Sequence, residues 1–473
     1  MAQGGVVQSD RATDRMRAAF LDNRAGVLDS AALFGGTRHL AFMGAVLLCS
    51  LQFQTMPIGI KAQILPPSSV LSLLFLPFIL HRVPRSPLLV AVLLFVGYAA
   101  VHSSIWLTID MIDLGAEMRF IAWVRQIFAL AAGLATFLVM RACFLHLGDR
   151  DIARFIIWGT VPALALAFLN ILWGALKQGW AGAIVEGVRD IVSPYGFTAP
   201  MRASGFAAEP STFAAVLVIV VVPVFLMLFG SKTSRPRHIV LLALTFLSIA
   251  WTFSSIGIIL LAALLVVGIA LGPSKRFMTR ISLGVFLMFA AAVAVFPNNQ
   301  IFRHAGAIAA GTSNVSFNDR IYSTIGPYMT SFESFTMLGY GLGGTSVHFK
   351  EIIPADQQAD ILEVRWKELP NLGTLIGRIY AEIGAVGLAL FLFFIFITFR
   401  QIRTILRSGA PRMRIVTIAA ARLGFIVTLI SLFSAFGSFH MPYLWLWMAV
   451  VDSRYILLGT AGGTPQHTGE ASA

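Results

Sequence analysis

The stretch from Pro210 to Gly230, PSTFAAVLVIVVVPVFLMLFG, runs for 21 residues without a charged side chain. As a helix it would reach about 30 Å, the thickness of a bilayer's hydrocarbon core. A chain built on such a run has to satisfy its backbone hydrogen bonds inside lipid, which restricts this stretch to a helix. The pattern recurs along the whole sequence. It predicts twelve spans, at about 39–58, 64–80, 87–106, 120–146, 153–177, 211–230, 237–252, 255–272, 281–297, 372–399, 414–436 and 440–458. Spans seven and eight are parted only by Thr252-Phe253-Ser254-Ser255, which predicts either a tight hairpin or one interrupted element. With 57% hydrophobic and 12% charged residues and a mean hydropathy of +0.81, a soluble domain is excluded. The expected fold is an all-α polytopic membrane protein of about twelve transmembrane helices.

The charges set the expected orientation. With a cytoplasmic N-terminus, the tails, the connections 81–86, 141–154, 231–238, 273–280 and 400–414, and the adjoining helix ends hold 22 Lys+Arg against 8 Asp+Glu. The other side holds 12 against 14, and Arg422 lies within span eleven. Positive charge gathers on the cytoplasmic side, so both termini are predicted to be cytoplasmic. The net charge of +13 then reflects topology and anionic lipid contacts, not nucleic acid. The first forty residues lack a short apolar core with a small-residue cleavage site, so span one is expected to serve as the targeting signal. Cys49 and Cys143 fall in or near spans and read as packing residues, not a disulfide.

The predicted organisation is a cytoplasmic tail at 1–38, spans one to nine within 39–296, a large external loop at 297–371, spans ten to twelve within 372–458, and a second tail at 459–473. A smaller external loop at about 178–210 contains Trp180, Ile184, Val188 and Ile191 at helical spacing, which suits an interfacial helix. In the large loop, Ile321, Tyr322, Phe332, Phe335 and Trp366 predict an ordered cap. Its cluster Gly339-Tyr340-Gly341-Leu342-Gly343-Gly344 frees the backbone to approach a ligand closely.

The unusual polar residues fall on the external side. Glu209 is placed at the cap of span six with Pro210 in its first turn, and Arg202 lies just ahead; such a helix start favours anions. Arg119 and Arg125 are at and just inside the outer end of span four. Arg320 and His348 belong to the large loop. Arg378 and Glu382 lie four residues apart, on one face of span ten. Charges this deep line cavities or form structural ion pairs. Arg119 is read as snorkelling to the interface, His440 as structural and Arg422 as packing. Arginines gathered at one membrane face suit a phosphate-bearing lipid, with Glu209, Glu382 or His348 as general base. No His/Asp/Glu cluster has metal-ligand spacing, and no cofactor is expected.

Arg202-Ala203-Ser204-Gly205-Phe206 followed by Glu209-Pro210-Ser211 resembles the bacterial O-antigen and exopolysaccharide polymerases (Wzy-like), which share a superfamily with the O-antigen ligases. The resemblance continues, in order, through Thr252-Phe253-Ser254-Ser255-Ile256-Gly257, Arg320, Leu338-Gly339-Tyr340-Gly341-Leu342-Gly343, Asn371-Leu372 and Glu382-Ile383-Gly384-Ala385-Val386-Gly387-Leu388. It covers about Arg202 to Leu388. Ligases of the superfamily commonly place a histidine just before the asparagine; here Leu369-Pro370 stands there, a departure from the ligase-type catalytic histidine, and Glu209-Pro210-Ser211 leans toward a polymerase. The resemblance implies a GT-C-like fold in the bacterial inner membrane and glycosyl transfer at its periplasmic face. The donor would be a glycan on undecaprenyl diphosphate, with a chain-length regulator and a flippase as partners. It implies that Arg202 and Arg320 stabilise the diphosphate leaving group, helped by Arg125 and Arg378, and that Glu209 or His348 takes the acceptor proton. Gly341, Gly343 and Glu382 would complete the substrate site. The competing expectations are a ligase with the same donor, and a lipid-linked sugar transporter or flippase.

Overall fold

The computed structural model describes residues 37–54, 66–114, 117–192, 202–272, 278–285, 287, 315–364, 372–434 and 436–461. Among these residues the chain is all-α, without a strand. The principal helices are α1 (Thr37–Cys49), α2 (Pro67–Ile79), α3 (Pro87–Leu114), α4 (Glu117–His146), α5 (Asp149–Leu176), α6 (Gly179–Val192) and α7 (Pro210–Gly230). They continue with α8 (Pro236–Trp251), α9 (Ser255–Leu271), α10 (Val315–Met329), α11 (Ala355–Val364), α12 (Leu375–Arg407), α13 (Arg412–Ser431) and α14 (Pro442–Ala461). Six of them, α3, α4, α5, α7, α12 and α13, are long and apolar enough to cross a membrane. The chain is therefore a helical membrane protein. Span nine lies largely outside the described residues.

α7 is the most completely buried of the six, enclosed by α5, α9 and α13. Its N-cap Glu209 is extended (φ −132°, ψ 146°) and Pro210 opens the first turn, as the sequence predicts. Midway, Leu217–Val221 widens into a π turn just before Pro223. Proline has no N–H for the carbonyl four residues back and its ring crowds that carbonyl, which belongs to Ile219. The freed oxygen accepts instead from the Trp447 indole at 3.1 Å. Gly424 on α13 makes room for that indole: a β-carbon there would sit 2.3 Å from the Trp447 ring.

Buried ion pairs fasten the basic end of the bundle. Asp452 on α14 takes Arg141 of α4, Ser86 at 2.8 Å and Gln401 of α12 at 2.6 Å. Arg454 binds Asp149 at 2.6 Å and the carbonyls of Phe144 and Leu147, closing the α4–α5 corner. Arg422 donates to the carbonyl of Leu271, the last residue of α9, where a cation complements the helix dipole. Both cysteines are free thiols.

At the opposite, loop end, α8 and α9 form the tight hairpin, with Ser254 capping α9 by accepting from Gly257 N at 3.2 Å. α6 exposes Trp180, Ile184 and Ile191 while Ala181, Val185 and Arg189 face inward, the arrangement of an interfacial helix. Two expectations need correction. α3 runs two turns past the predicted end at 106, because Asp110, which sequence reading places beyond the span, is neutralised by a partner on α4. The cap is ordered over 315–364, but Phe332 and Phe335 are 92% and 66% exposed and form no part of its core. That core is Tyr340, Phe349, Ile352, Ile353, Ile361, Leu372 and Ala381, closed by Trp106 and Tyr322. Trp366 lies outside the described residues.

Candidate functional site

The loop end holds every candidate residue, in two groups. The first is built on the glycine cluster. Gly341 and Gly343 have φ of +73° and +77°, and β-carbons there would lie 2.8 Å from Trp106 and 2.6 Å from the backbone of Ala122. Their close approach is thus to α3 and α4 of the protein itself. Arg119 is fully buried, donating from Nη1 to Leu342 O at 2.7 Å and from Nη2 to Tyr340 O at 3.0 Å. The snorkelling reading of Arg119 is therefore wrong: the loop's turned-in carbonyls take its guanidinium out of the interface. Leu342 N donates to Ser103 Oγ at 2.8 Å and Tyr340 N to Ala381 O at 3.0 Å, so the loop is clamped to three helices.

Asp110 sits at the centre of this clamp, with Oδ2 2.6 Å from Arg119 Nε and Oδ1 2.9 Å from His348 Nε2. His348 Nδ1 is 3.3 Å from Glu351 Oε1, and its ring stacks on Tyr340 at 4.3 Å, a face that favours a cation. Burial opposes the charged imidazole, but the hydrogen bond and charge of Asp110, reinforced by Glu351, outweigh it and raise the His348 pKa above its ordinary value. Both ring nitrogens of His348 thus face carboxylates, Nε2 toward Asp110 and Nδ1 toward Glu351.

Behind the clamp, α12 opens into a π turn over Ile379–Ile383. Glu382 is fully buried there, accepting from Thr345 Oγ1 at 2.8 Å and lying 3.8 Å from Arg378 Nε. Arg378 also donates to Gln126 Oε1 at 3.2 Å and to Gly437 O. The neighbouring Arg125 is half-buried on α4. Arg320, half-buried on α10, lies one turn before Thr324, whose hydroxyl donates to Thr374 Oγ1 at 3.0 Å in the approach to α12.

The second group is the mouth of α7. Arg202 Nε donates to Thr252 O at 2.9 Å and Nη2 to Phe253 O at 3.5 Å, tying the approach to the α8–α9 hairpin. Burial lowers the guanidinium's pKa, and the charge of nearby Glu209 opposes that. Glu209 is exposed and accepts from Ser211 Oγ at 3.1 Å. Arg189, which sequence reading passed over, is buried with Nη1 2.6 Å from Ser204 Oγ. Its inward position is legible only as the third member of an i, i+4, i+8 face with Ala181 and Val185. The two groups are linked through the α13–α14 turn. Gly437 there accepts from Arg378, and Tyr443 receives Gln54 Nε2 at 3.3 Å, which also donates to Thr212 O in the first turn of α7 at 3.4 Å. Asp110 was missed because its span was closed early; its signal is the Ala99, Ser103, Trp106, Asp110 face of α3.

Chemically, the loop end offers fixed guanidinium groups beside an exposed carboxylate at a helix N-terminus, the ingredients for holding an anionic group near a proton acceptor. No group of three or more His, Cys, Asp or Glu that could hold a metal forms among the described residues. No protein-family model and no curated protein sequence matches this chain.

Proposed function

We propose that this protein is a polysaccharide polymerase, a glycosyltransferase of GT-C-like architecture that joins undecaprenyl-diphosphate-linked repeat units. On this reading it lies in a bacterial inner membrane with about twelve spans, both termini cytoplasmic and the loop end in the periplasm. A chain-length regulator and a flippase are its partners. The observation that carries the reading is the mouth of α7. Arg202 is held by two hairpin carbonyls while Glu209, seven residues on, stands exposed at the start of the most buried helix.

In the proposed reaction the acceptor sugar's hydroxyl oxygen attacks the donor's anomeric carbon. The new C–O bond forms as the bond from that carbon to the diphosphate oxygen breaks, its electron pair leaving with the lipid diphosphate. Arg202 and the first turn of α7 stabilise the developing charge, helped by Arg320 and by Arg189, which is bonded to Ser204. The acceptor proton passes to Glu209, which is favoured over His348 because both ring nitrogens of His348 already face carboxylates. Arg378, Glu382, Gly341 and Gly343 act by fixing the loop, and Arg125 assists in holding the diphosphate.

Purified protein in nanodiscs, given lipid-diphosphate-linked repeat units without nucleotide sugar, tests this. The expected result is a ladder of longer lipid-linked glycans, slowed about 10²- to 10³-fold in Arg202→Ala or Arg320→Ala. Vectorial movement of the substrate in proteoliposomes without a ladder would replace the reading with a transporter. Transfer only to a separately added lipid acceptor would replace it with a ligase.

A further inference from the structure

A cavity lies at the basic end of the bundle, far from the candidate site. It holds about 500 Å³ and opens between α5 and α8. Its mouth carries Arg150, Arg154, Arg235 and Arg237, and its deeper wall carries Ile157, Trp158, Val161 and Leu241. The order is the same on both helices. On α5, Arg150, Arg154, Trp158 and Val161 descend one face at spacings of four, four and three residues, about 16 Å of rise. On α8, Arg235 and Arg237 stand at the start and Leu241 a turn below. Trp158 is 59% exposed, and Ile239 and Val240 beside the opening are exposed as well, so the cavity is open toward the lipid side.

Four guanidinium groups meet little opposing charge. Asp151 pairs with Arg154 at 3.2 Å in an exposed, weak bridge, and Asp149 is already committed to Arg454. His238 lines the wall as a neutral acceptor, its Nδ1 receiving Arg235 N at 2.9 Å. A site that is cationic at headgroup depth and apolar below fits one kind of molecule: a phosphate flanked by hydrocarbon.

We propose that this cavity is a specific binding site for an anionic diacyl phospholipid, its phosphate among Arg150, Arg154, Arg235 and Arg237 and its acyl chain along Trp158, Val161 and Leu241. The site is separate from the proposed catalytic mouth, and its existence does not depend on that assignment. An arginine beside an anionic headgroup is worth about a fivefold change in affinity, so losing two should weaken binding about 25-fold.

The test is native mass spectrometry of the full chain released from detergent containing phosphatidylglycerol, phosphatidylcholine or inorganic phosphate. The expected result is one retained phosphatidylglycerol, little phosphatidylcholine and no displacement by inorganic phosphate. Retention should fall about 25-fold in Arg154→Gln/Arg237→Gln, recover in Arg154→Lys/Arg237→Lys, and be untouched in Arg403→Gln/Arg407→Gln. The latter pair is exposed at the same end of the bundle, on α12, and does not line the cavity. Equal retention of both lipids, or an equal loss in the control pair, would overturn the proposal in favour of diffuse attraction. Displacement by inorganic phosphate would overturn the lipid assignment.

Discussion

Replacing Asp110 with alanine removes a carboxylate that faces both Arg119 and His348. Arg119, fully buried, would keep the carbonyls of Tyr340 and Leu342, and His348 would keep the exposed Glu351. Breaking a buried ion pair from one side costs roughly 3–5 kcal/mol. The clamp borders the loop end, where water is close, so the lower figure of about 3 kcal/mol applies, and local opening should become about a hundredfold easier. Hydrogen exchange is the assay, because the loss is local. Amides of Tyr340, Leu342, Gly344 and His348, each hydrogen-bonded in the clamp, should lose about a hundredfold protection while those of α7 keep theirs. The raised His348 pKa adds a pH signature. Its stabilising contribution is complete below the ordinary histidine value of about 6.5 and disappears as pH rises through the higher folded value. Protection of 340–352, corrected for intrinsic exchange, should therefore fall with rising pH in the wild type and lie flat in Asp110→Ala. Unchanged protection, or an equal loss in α7, would refute the clamp.

Three further outcomes follow from the packing. Trp447→Phe strands the Ile219 carbonyl and should destabilise the protein by about 1–3 kcal/mol in thermal unfolding, with a smaller loss in a Pro223→Ala background, where residue 223 regains an N–H for that carbonyl. Gly343→Ala should lower thermal stability far more than Gly409→Ala. Both have positive φ (+77° and +68°), but only a β-carbon at 343 meets backbone, at 2.6 Å, whereas nothing lies within 4 Å at 409. Arg378→Met and Glu382→Gln should each be strongly destabilising, and a double-mutant cycle should return about 1–3 kcal/mol of coupling; additive losses would mean that the pair is not a unit.

Much of the fold is legible because a membrane leaves an apolar run few choices. The hydropathy runs match α3, α4, α5, α7, α12 and α13 to within a few residues at most ends. Pro210 and Glu209 mark the start of α7 through local backbone chemistry. What escapes is whatever depends on a distant partner. Asp110 looks like a span terminator until Arg119 and His348 are beside it, and Arg119 looks like an interface residue until the carbonyls of Tyr340 and Leu342 turn toward it. The glycine cluster is recognisable as a place of close backbone approach, but a single sequence does not say to what; the approach is to α3 and α4. Phe332 and Phe335 show the converse, since aromatic character alone does not reveal which side of a loop becomes its core.

The most direct test of the central claim is the rate at which wild type and Glu209→Gln, purified in nanodiscs, extend a lipid-diphosphate-linked repeat unit, with donor binding measured in parallel. The account predicts a growing ladder for the wild type. For Glu209→Gln it predicts a rate about 10²- to 10⁴-fold lower at unchanged donor affinity, the signature of a lost proton acceptor. A wild type that makes no ladder, or a variant that elongates at the wild-type rate, would contradict it.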